Sequence, residues 1–360
     1  MSRIDQLRNH TISHSLFRPT TLKVAVNRLG FVQADPIRSP ARAQDLILRH
    51  RVKSYRAGDL DLRYPKLNVE EDSLYAYGYL PRNISNLLHP RKISKAMDDL
   101  QRKVLKLVRK SGPVHPRDLK THFGDERVVN GWGGYSKATK RALEGLHHRG
   151  LLRVAKRENG IRVYGAASLP KHSLSPEDRF REIVRVVANI LAPVNERFLL
   201  SITAYFRYLI PSIIERRTIL RNMIQTGEFE EQTIDGLTYV WPRAKIIHHE
   251  PPRQVRFLTP FDPLVRDRDR FEHLWQWAYR FEAYTPKAKR LRGYYAMPLL
   301  WIDRVIGWAN ADVVDSKLSV ELGYVKQRPK GRDFRNEVQA EVARLADFLH
   351  LNESSWELVI

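Results

Sequence analysis

Apolar residues recur at helical spacing over 93–110, where Met97, Leu100, Val104, Leu105 and Val108 share one side. Ser111-Gly112-Pro113 ends that helix, and a short second helix is predicted over 115–122. After the bend Gly131-Trp132-Gly133-Gly134, Ser136 reads as the N-cap of a third helix. Ala138, Ala142, Leu143 and Leu146 form its inner stripe. Gly150 ends it, and two strand patterns follow, 151–156 and 161–164. They join at Asn159-Gly160, a pair suited to a two-residue hairpin turn because both residues tolerate positive φ. Three helices followed by a hairpin is the winged-helix order.

The same order repeats twice more. Over 176–243 the pattern predicts helices at 176–191, 198–209 and 212–226, then a hairpin turning at Asp235-Gly236 with 237–241 as its second arm. In the first 56 residues, Leu22, Val26 and Leu29 make one stripe, Gly30 caps it, and 41–51 reads as another helix. Past the joint Pro251-Pro252 the pattern changes. A strand is predicted at 255–258 and a helix at 268–279. Strands at 293–302, 305–313 and 318–325 follow, and a closing helix spans 332–350. The chain is therefore read as α+β, with unit boundaries at 1–92, 93–170, 171–252 and 253–360.

Charge decides what such units act on. The 360 residues carry 62 Lys and Arg against 40 Asp and Glu, a net charge of +22. That excess points to a polyanion, with nucleic acid first. Residues 1–56 and 82–120 each hold eleven basic against three acidic residues, so the charge is spread over several units. Lys137, Lys140 and Arg141 lie opposite the apolar stripe of the third helix of the middle unit, the element that enters the major groove in a helix-turn-helix. The following hairpin carries Arg153, Lys156, Arg157 and Arg162, placed to reach phosphates. There is no cysteine, which excludes disulfides, thiolate nucleophiles and Cys-ligated metals. The adjacent pairs His147-His148 and His248-His249 read as packing or surface residues, so neither metal nor cofactor is expected. The chain has no P-loop, G-x-G-x-x-G, G-x-S-x-G or H-E-x-x-H motif. No apolar leader follows Met1, and the most apolar stretch, 198–214, is interrupted by Arg207 and Pro211. A cytoplasmic, nucleoid-associated monomer without a membrane segment is the expectation.

One short segment stands apart: Phe31-Val32-Gln33-Ala34-Asp35-Pro36-Ile37. If extended, it places Gln33 and Asp35 on one face, where an amide and a carboxylate can hold a water between them. Its plain alternative is a helix start, with Asp35 as N-cap and Pro36 at the first position. Spacing alone favours the helix start.

Leu29-Gly30-Phe31-Val32-Gln33-Ala34-Asp35 resembles the Gln-x-Asp signature of the AlkZ-like (YcaQ-type) winged-helix DNA glycosylases. The stretch from Trp132 to Glu144 resembles that family's second recognition segment. Further matches follow in order: Pro260-Phe261-Asp262-Pro263, Asp267-Arg268, Glu282-Ala283-Tyr284-Thr285-Pro286, Lys289-Arg290 and Gly293-Tyr294-Tyr295. The resemblance implies three tandem winged-helix units, a small C-terminal β-barrel-like domain and a basic channel for double-stranded DNA. It implies excision of N7- or N3-alkylated purines, with unhooking of interstrand cross-links in some members. Gln33 and Asp35 would be catalytic; Arg38, Arg42, Lys137, Lys140, Arg141, Arg162, Lys289 and Arg290 would contact DNA. The chain departs from the family pattern at Ser73 and Tyr75, which replace a Trp and a His, and at Arg266, which replaces a Trp. The basic residues that follow the barrel Gly are also missing after Gly307. The rival to the enzyme reading is a non-catalytic DNA-binding protein. An RNA-binding factor is weaker, since no aromatic RNP-like strand is present.

Overall fold

The computed structural model describes residues 2–91, 93, 95–129, 133–170, 173–243, 250–352 and 355–359. The bend at Gly131-Trp132 and the pair His248-His249 lie outside the described residues.

The chain opens with helix α1 (Arg3–Ser15), capped by Ser2 and Asp5 in a reciprocal capping box. Helix α2 (Leu22–Leu29) starts at Thr21, whose hydroxyl accepts the Val24 amide, and ends at Gly30 with φ 69°. There follow strand β1 (Val32–Gln33), helices α3 (Ala43–Leu48) and α4 (Asp59–Arg63), strands β2 (Val69–Ser73) and β3 (Tyr77–Pro81), and helix α5 (Arg82–Leu87). The sheet order is β1-β3-β2, so the hairpin's second arm lies between its first arm and the short strand.

That plan recurs. The second unit has α6 (Asp99–Ser111), α7 (Leu119–Phe123), a small hairpin β4 (Arg127–Val129) and β5 (Tyr135–Lys137), α8 (Ala138–His148), and the hairpin β6 (Leu152–Glu158) and β7 (Ile161–Ala166). Val114 bridges to Tyr164 of β7 where the first unit has β1. The third has α9 (Pro176–Ile190), β8 (Val194–Asn195), α10 (Glu196–Thr203), α11 (Arg216–Gln225), β9 (Phe229–Ile234) and β10 (Leu237–Pro242), in the sheet order β8-β10-β9. The turns at Asn159-Gly160 and Asp235-Gly236 have positive φ at both residues, as expected for them.

Several boundaries move. Helix α6 begins at Asp99, not at 93, because Asp98 and Gln101 form its capping box. Ser136 is no N-cap. It sits within β5, opposite Val128 of β4, and Lys137 precedes α8. Helix α11 starts only at Arg216, and α13 (Arg268–Trp275) stops where Gln276 turns left-handed at φ 53°.

The C-terminal part holds β11 (Val255–Phe257), α12 (Pro263–Arg266), α13, β12 (Met297–Trp301), β13 (Arg304–Val314), β14 (Lys317–Tyr324), α14 (Arg332–Phe348) and β15 (Trp356–Val359). Its five strands run in the order β11-β12-β13-β14-β15, antiparallel except for the last pair. The expected barrel-like closure is not found among the described residues: β11 and β15 are open edges. Helix α14 covers the apolar face instead, burying Phe334, Val338, Val342 and Leu345 with Leu299, Ala309, Leu318 and Val320. Once a helix buries that face, closure of the strands has no apolar surface left to bury.

The cores cross the unit limits. One apolar cluster joins the first and second units to the C-terminal sheet, and another joins Phe31, Leu74 and Leu80 to the third unit. Buried polar clamps accompany them. Arg51 is fully buried and meets Asp262 through two bonds, 2.8 and 2.9 Å. Its remaining donors reach the carbonyls of Ser15 and Ile47. Arg270, also fully buried, donates to carbonyls of Pro193 and Pro263 at 2.7 and 2.6 Å. Asp267 accepts the Asn195 amide at 2.8 Å and caps α13.

Removing one partner of such a pair strands the other. Asp262→Ala is expected to lose about 3–5 kcal/mol of stability in urea unfolding. The double replacement Arg51→Met with Asp262→Leu should lose less than Asp262→Ala alone. A double loss equal to the sum of the Arg51→Met and Asp262→Leu single losses would show that the pair is not energetically coupled.

Candidate active site

Strand β1 pairs with β3, setting Gln33 opposite Gly78. The ladder continues one residue further, with the Ala34 amide donating to the Tyr77 carbonyl at 2.9 Å. This close approach requires glycine at 78: a Cβ there would stand 2.4 Å from the Val32 carbonyl oxygen and 2.5 Å from the Phe31 ring. After Ala34 the chain turns. Asp35 Oδ1 accepts the Ile37 amide at 2.9 Å, an Asx turn. No helix follows, so Asp35 is not a helix cap.

Asp35 is half-buried and no cation pairs with it among the described residues. Burial pushes its pKa above the ordinary aspartate value, and the Ile37 amide offsets only part of that. Every fully buried carboxylate nearby is differently placed. Glu71 takes Arg157 through two bonds, 2.7 and 2.6 Å. Asp72 takes His89 and Arg91 at 2.6 and 2.7 Å. Burial would raise the Asp72 pKa, yet these two partners hold it below the usual carboxylate range.

Asp35 lines a cavity of about 320 Å³ with Ala34, Pro36, Gln44 and Tyr77, and with Arg38, Arg42, Arg157 and Arg162. Gln33 does not line this cavity. It is buried beneath, and its Oε1 has no protein partner. The extended geometry that would put both side chains on one face ends at Ala34. Burial raises the pKa of Tyr295, and the negative charge of Asp35 raises it further. The Tyr295 hydroxyl is 2.8 Å from that of Thr259. A larger cavity, about 500 Å³, lies around Arg49, Tyr55, Arg256 and Phe348 and does not include Asp35.

The basic candidates divide sharply. Arg42 is committed to Asp61 at 2.6 Å and Asp45 at 3.5 Å. Arg162 lies over the Tyr77 ring at 4.2 Å, with Glu71 at 3.4 Å. Arg153 pairs with Glu70 at 3.0 Å. The β6–β7 hairpin is therefore docked on the first unit by Glu70 and Glu71, and Arg153 and Arg157 are not free for phosphates. Arg38 is exposed and pairs with no carboxylate among the described residues; a backbone bridge sets it beside Arg42. Lys137, Lys140 and Arg141 are exposed around the start of α8; Lys137 reaches Asp125 at 2.6 Å and Arg141 donates to the Val129 carbonyl at 3.2 Å. Lys289 is exposed, and Arg290 packs over Tyr294 at 5.0 Å.

Sequence reading missed the pairing of two departures. Arg266 lies over the Tyr75 ring at 5.8 Å, and Tyr75 meets Phe31 edge-on at 4.9 Å. The two altered positions thus pack together behind β1. It also missed Thr259 and Tyr295, although both sit at the edge of quoted motifs. The described residues contain no cluster of metal-ligating side chains and no helix long and apolar enough to cross a membrane.

With this geometry in hand, two comparisons bear on the chain. It is similar in structure to the DNA glycosylase AlkZ of Streptomyces sahachiroi, with a TM-score of 0.63 over 98% of each chain at 15% identity, a likeness of fold. The sequence model of the family described as "DNA glycosylase AlkZ-like" matches residues 26–348. The match covers most of the chain, including Gln33, Asp35 and the Thr259–Tyr295 pair, and the chain belongs to the AlkZ-like DNA glycosylase family.

Proposed function

We propose that this glycosylase hydrolyses the N-glycosidic bond of N7- or N3-alkylated purines in duplex DNA, with Asp35 as the catalytic carboxylate. The observation that carries the reading is the desolvated carboxylate of Asp35, which lines a cavity and pairs with no cation among the described residues, whereas Asp45, Glu71, Asp72, Asp262 and Glu341 each pair with an arginine and the buried Asp267 is taken up by the backbone amides of Asn195 and Arg270.

The chemistry follows from charge. An N7-alkylated purine is already cationic and leaves without strong protonation. Positive charge then develops on the sugar. A carboxylate fixed by an Asx turn in a partly dry site opposes that charge without reorganising. Gln33 supplies an unpartnered amide oxygen beneath the strand end, suited to positioning water. No lysine lines the Asp35 cavity among the described residues, so no amine stands ready to attack the sugar. This supports hydrolysis alone, a monofunctional enzyme. The three repeated units act as winged-helix modules over 1–92, 93–170 and 171–252, with 253–360 closing the site. Arg38, Lys137, Lys140, Arg141 and Lys289 supply phosphate contacts. An open cavity accommodates bulky adducts and, by extension, cross-links. A non-catalytic DNA-binding protein would retain the desolvation cost at Asp35 with no return.

Base release from a duplex carrying one N7-methylguanine tests this. Asp35→Asn should slow release by about 100-fold or more while duplex affinity stays within about twofold. Equal rates would exclude Asp35 from the chemistry. The wild-type rate should fall on acidification with a midpoint above the ordinary aspartate value, since the ionised form is required.

Stability should move the opposite way. A folded-state pKa raised above the unfolded value means that ionising Asp35 costs stability above the unfolded pKa. Asp35→Asn should therefore raise Tm at neutral pH. That gain should vanish as pH falls below the ordinary aspartate range. A lower Tm at neutral pH would contradict the desolvation argument.

Arg38 and Arg42 give a separate check. Arg38→Ala should weaken duplex binding uniformly across sequences and reduce the slope of log K against log salt by about 1. Arg42→Ala should instead lower unfolding stability, because it breaks the pairs with Asp61 and Asp45.

A further inference from the structure

The loop between Glu282 and Tyr294 exposes apolar side chains that no folding argument explains. Leu291 is 80% exposed and Tyr284 is 82% exposed. They do not sit on a loose segment. Glu282 is buried, and one of its oxygens accepts the amides of Leu291 and Arg292, each at 2.9 Å. The Arg292 carbonyl takes the Asn310 side-chain amide at 2.6 Å. Arg290 closes the loop from within, donating to the Thr285 carbonyl at 2.8 Å. Gly293 follows at φ 122°, so close to Asn310 that a Cβ would stand 2.3 Å from its Oδ1. The loop is built shut, with its two largest apolar groups turned to solvent.

Its location is as informative as its rigidity. Tyr284 meets Phe281 edge-on at 6.1 Å, and Phe281 meets Tyr295 at 5.4 Å. The strand that holds the loop through Asn310 also meets the segment that follows Asp35, where Ser39 Oγ is 3.5 Å from Asp312 Oδ1. Exposed Lys287 and Lys289 flank the apolar pair, with Arg290 behind them. An apolar tip amid cations, braced by an aromatic series that runs from Tyr284 through Phe281 to Tyr295, fits a duplex with a disturbed base stack. The cations meet phosphates while the tip enters between bases. A protein partner would leave the ring of cations unanswered.

We propose that Leu291, supported by Tyr284, is a wedge that enters the base stack beside the modified nucleotide and holds open the space into which Asp35 acts. The proposal rests on the reading of this chain as a glycosylase acting on duplex DNA, and deepens it. Pre-ordering by Glu282 matters because the wedge then loses little conformational freedom on insertion, so more of the contact energy is left to offset unstacking.

Two measurements test it. In the first, Asp35→Asn protein at saturation binds a duplex with 2-aminopurine beside the modified base. Insertion unstacks the probe, so fluorescence should rise several-fold; adding Leu291→Ala should abolish the rise, and adding Leu291→Phe should retain it. This readout needs no base release. In the second, base release is compared for N7-methylguanine paired with cytosine and for the same base opposite an abasic site. Leu291→Ala should slow release from the paired duplex about 10-fold, a change of about 1.4 kcal/mol in barrier. Opposite the abasic site, where less stacking must be broken, most of that loss should disappear. A Leu291→Ala protein that matches its parent in fluorescence and in paired-duplex rate overturns the wedge. Absence of release by the wild type from both duplexes overturns the glycosylase reading instead, and leaves the fluorescence result to decide the wedge by itself.

Discussion

The buried contact between Arg51 and Asp262 is the constraint on which the arrangement of units depends. A guanidinium and a carboxylate taken wholly out of water lose hydration that their mutual attraction alone does not restore. The pair is tolerable because its other donors and acceptors are met: Ser15 and Ile47 carbonyls on one side, the Leu264 amide on the other. Those partners come from α1, α3 and α12. The charge pair thus fixes one relative placement of the first unit and the C-terminal part, where apolar contact alone would permit several. Arg270 and Asp267 do the same for the third unit through Pro193 and Asn195.

The segment from Thr259 to Arg270 is shared between this junction and the site. Asp262, Asp267 and Arg270 hold units together, while Thr259 meets Tyr295 and Arg266 lies over Tyr75. Disturbing the junction therefore disturbs the packing of Tyr75 on Phe31, the residue before β1. The second unit is tied differently, through Glu70 and Glu71 to the arginines of the β6–β7 hairpin. A hairpin that would otherwise be a free wing becomes one wall of the cavity. This also changes what the net charge of +22 means. A good part of the arginine count is consumed in these clamps, and the lysines and Arg38 are left as the accessible charge.

Much of this was legible from residue order, and the exceptions have physical causes. The hairpins at Asn159-Gly160 and Asp235-Gly236 declared themselves because only a few residue types tolerate their backbone angles. Helix α2 was readable from its stripe and its terminal glycine. Helix α1 was not: its buried positions include Arg8, His10, Thr11 and Ser13, so no apolar period marks it. The pairing of β2 with β3 was hidden because acids occupy a strand whose partners include Arg153 and Arg157, more than eighty residues away. Ser136 was misread because a cap and a hairpin end use the same residue types. At the site, the family motif pointed to Gln33 and Asp35, but local pattern alone favoured a helix cap at Asp35, because a cap and an Asx turn use the same Asp-Pro chemistry. The closure of the C-terminal strands was an inference from kinship, and α14 shows why the open sheet suffices.

The position of Asp35 at a strand end, rather than within the strand, has a consequence for the chemistry. Inside a ladder both of its neighbours would be committed to backbone pairing and its direction would be fixed by the pleat. One residue past Ala34 the carboxylate is released from that pattern, yet the Ile37 amide still holds one oxygen. Among the described residues the other oxygen has no hydrogen-bond partner, in a place where burial already disfavours its charge. A group so placed gains most from a cation arriving beside it, and less from any neutral ligand. Positive charge at a sugar losing its base is such a cation, present only as the bond breaks. In the proposed reaction, the desolvation that weakens the folded state is the same term that would favour the transition state over the bound substrate.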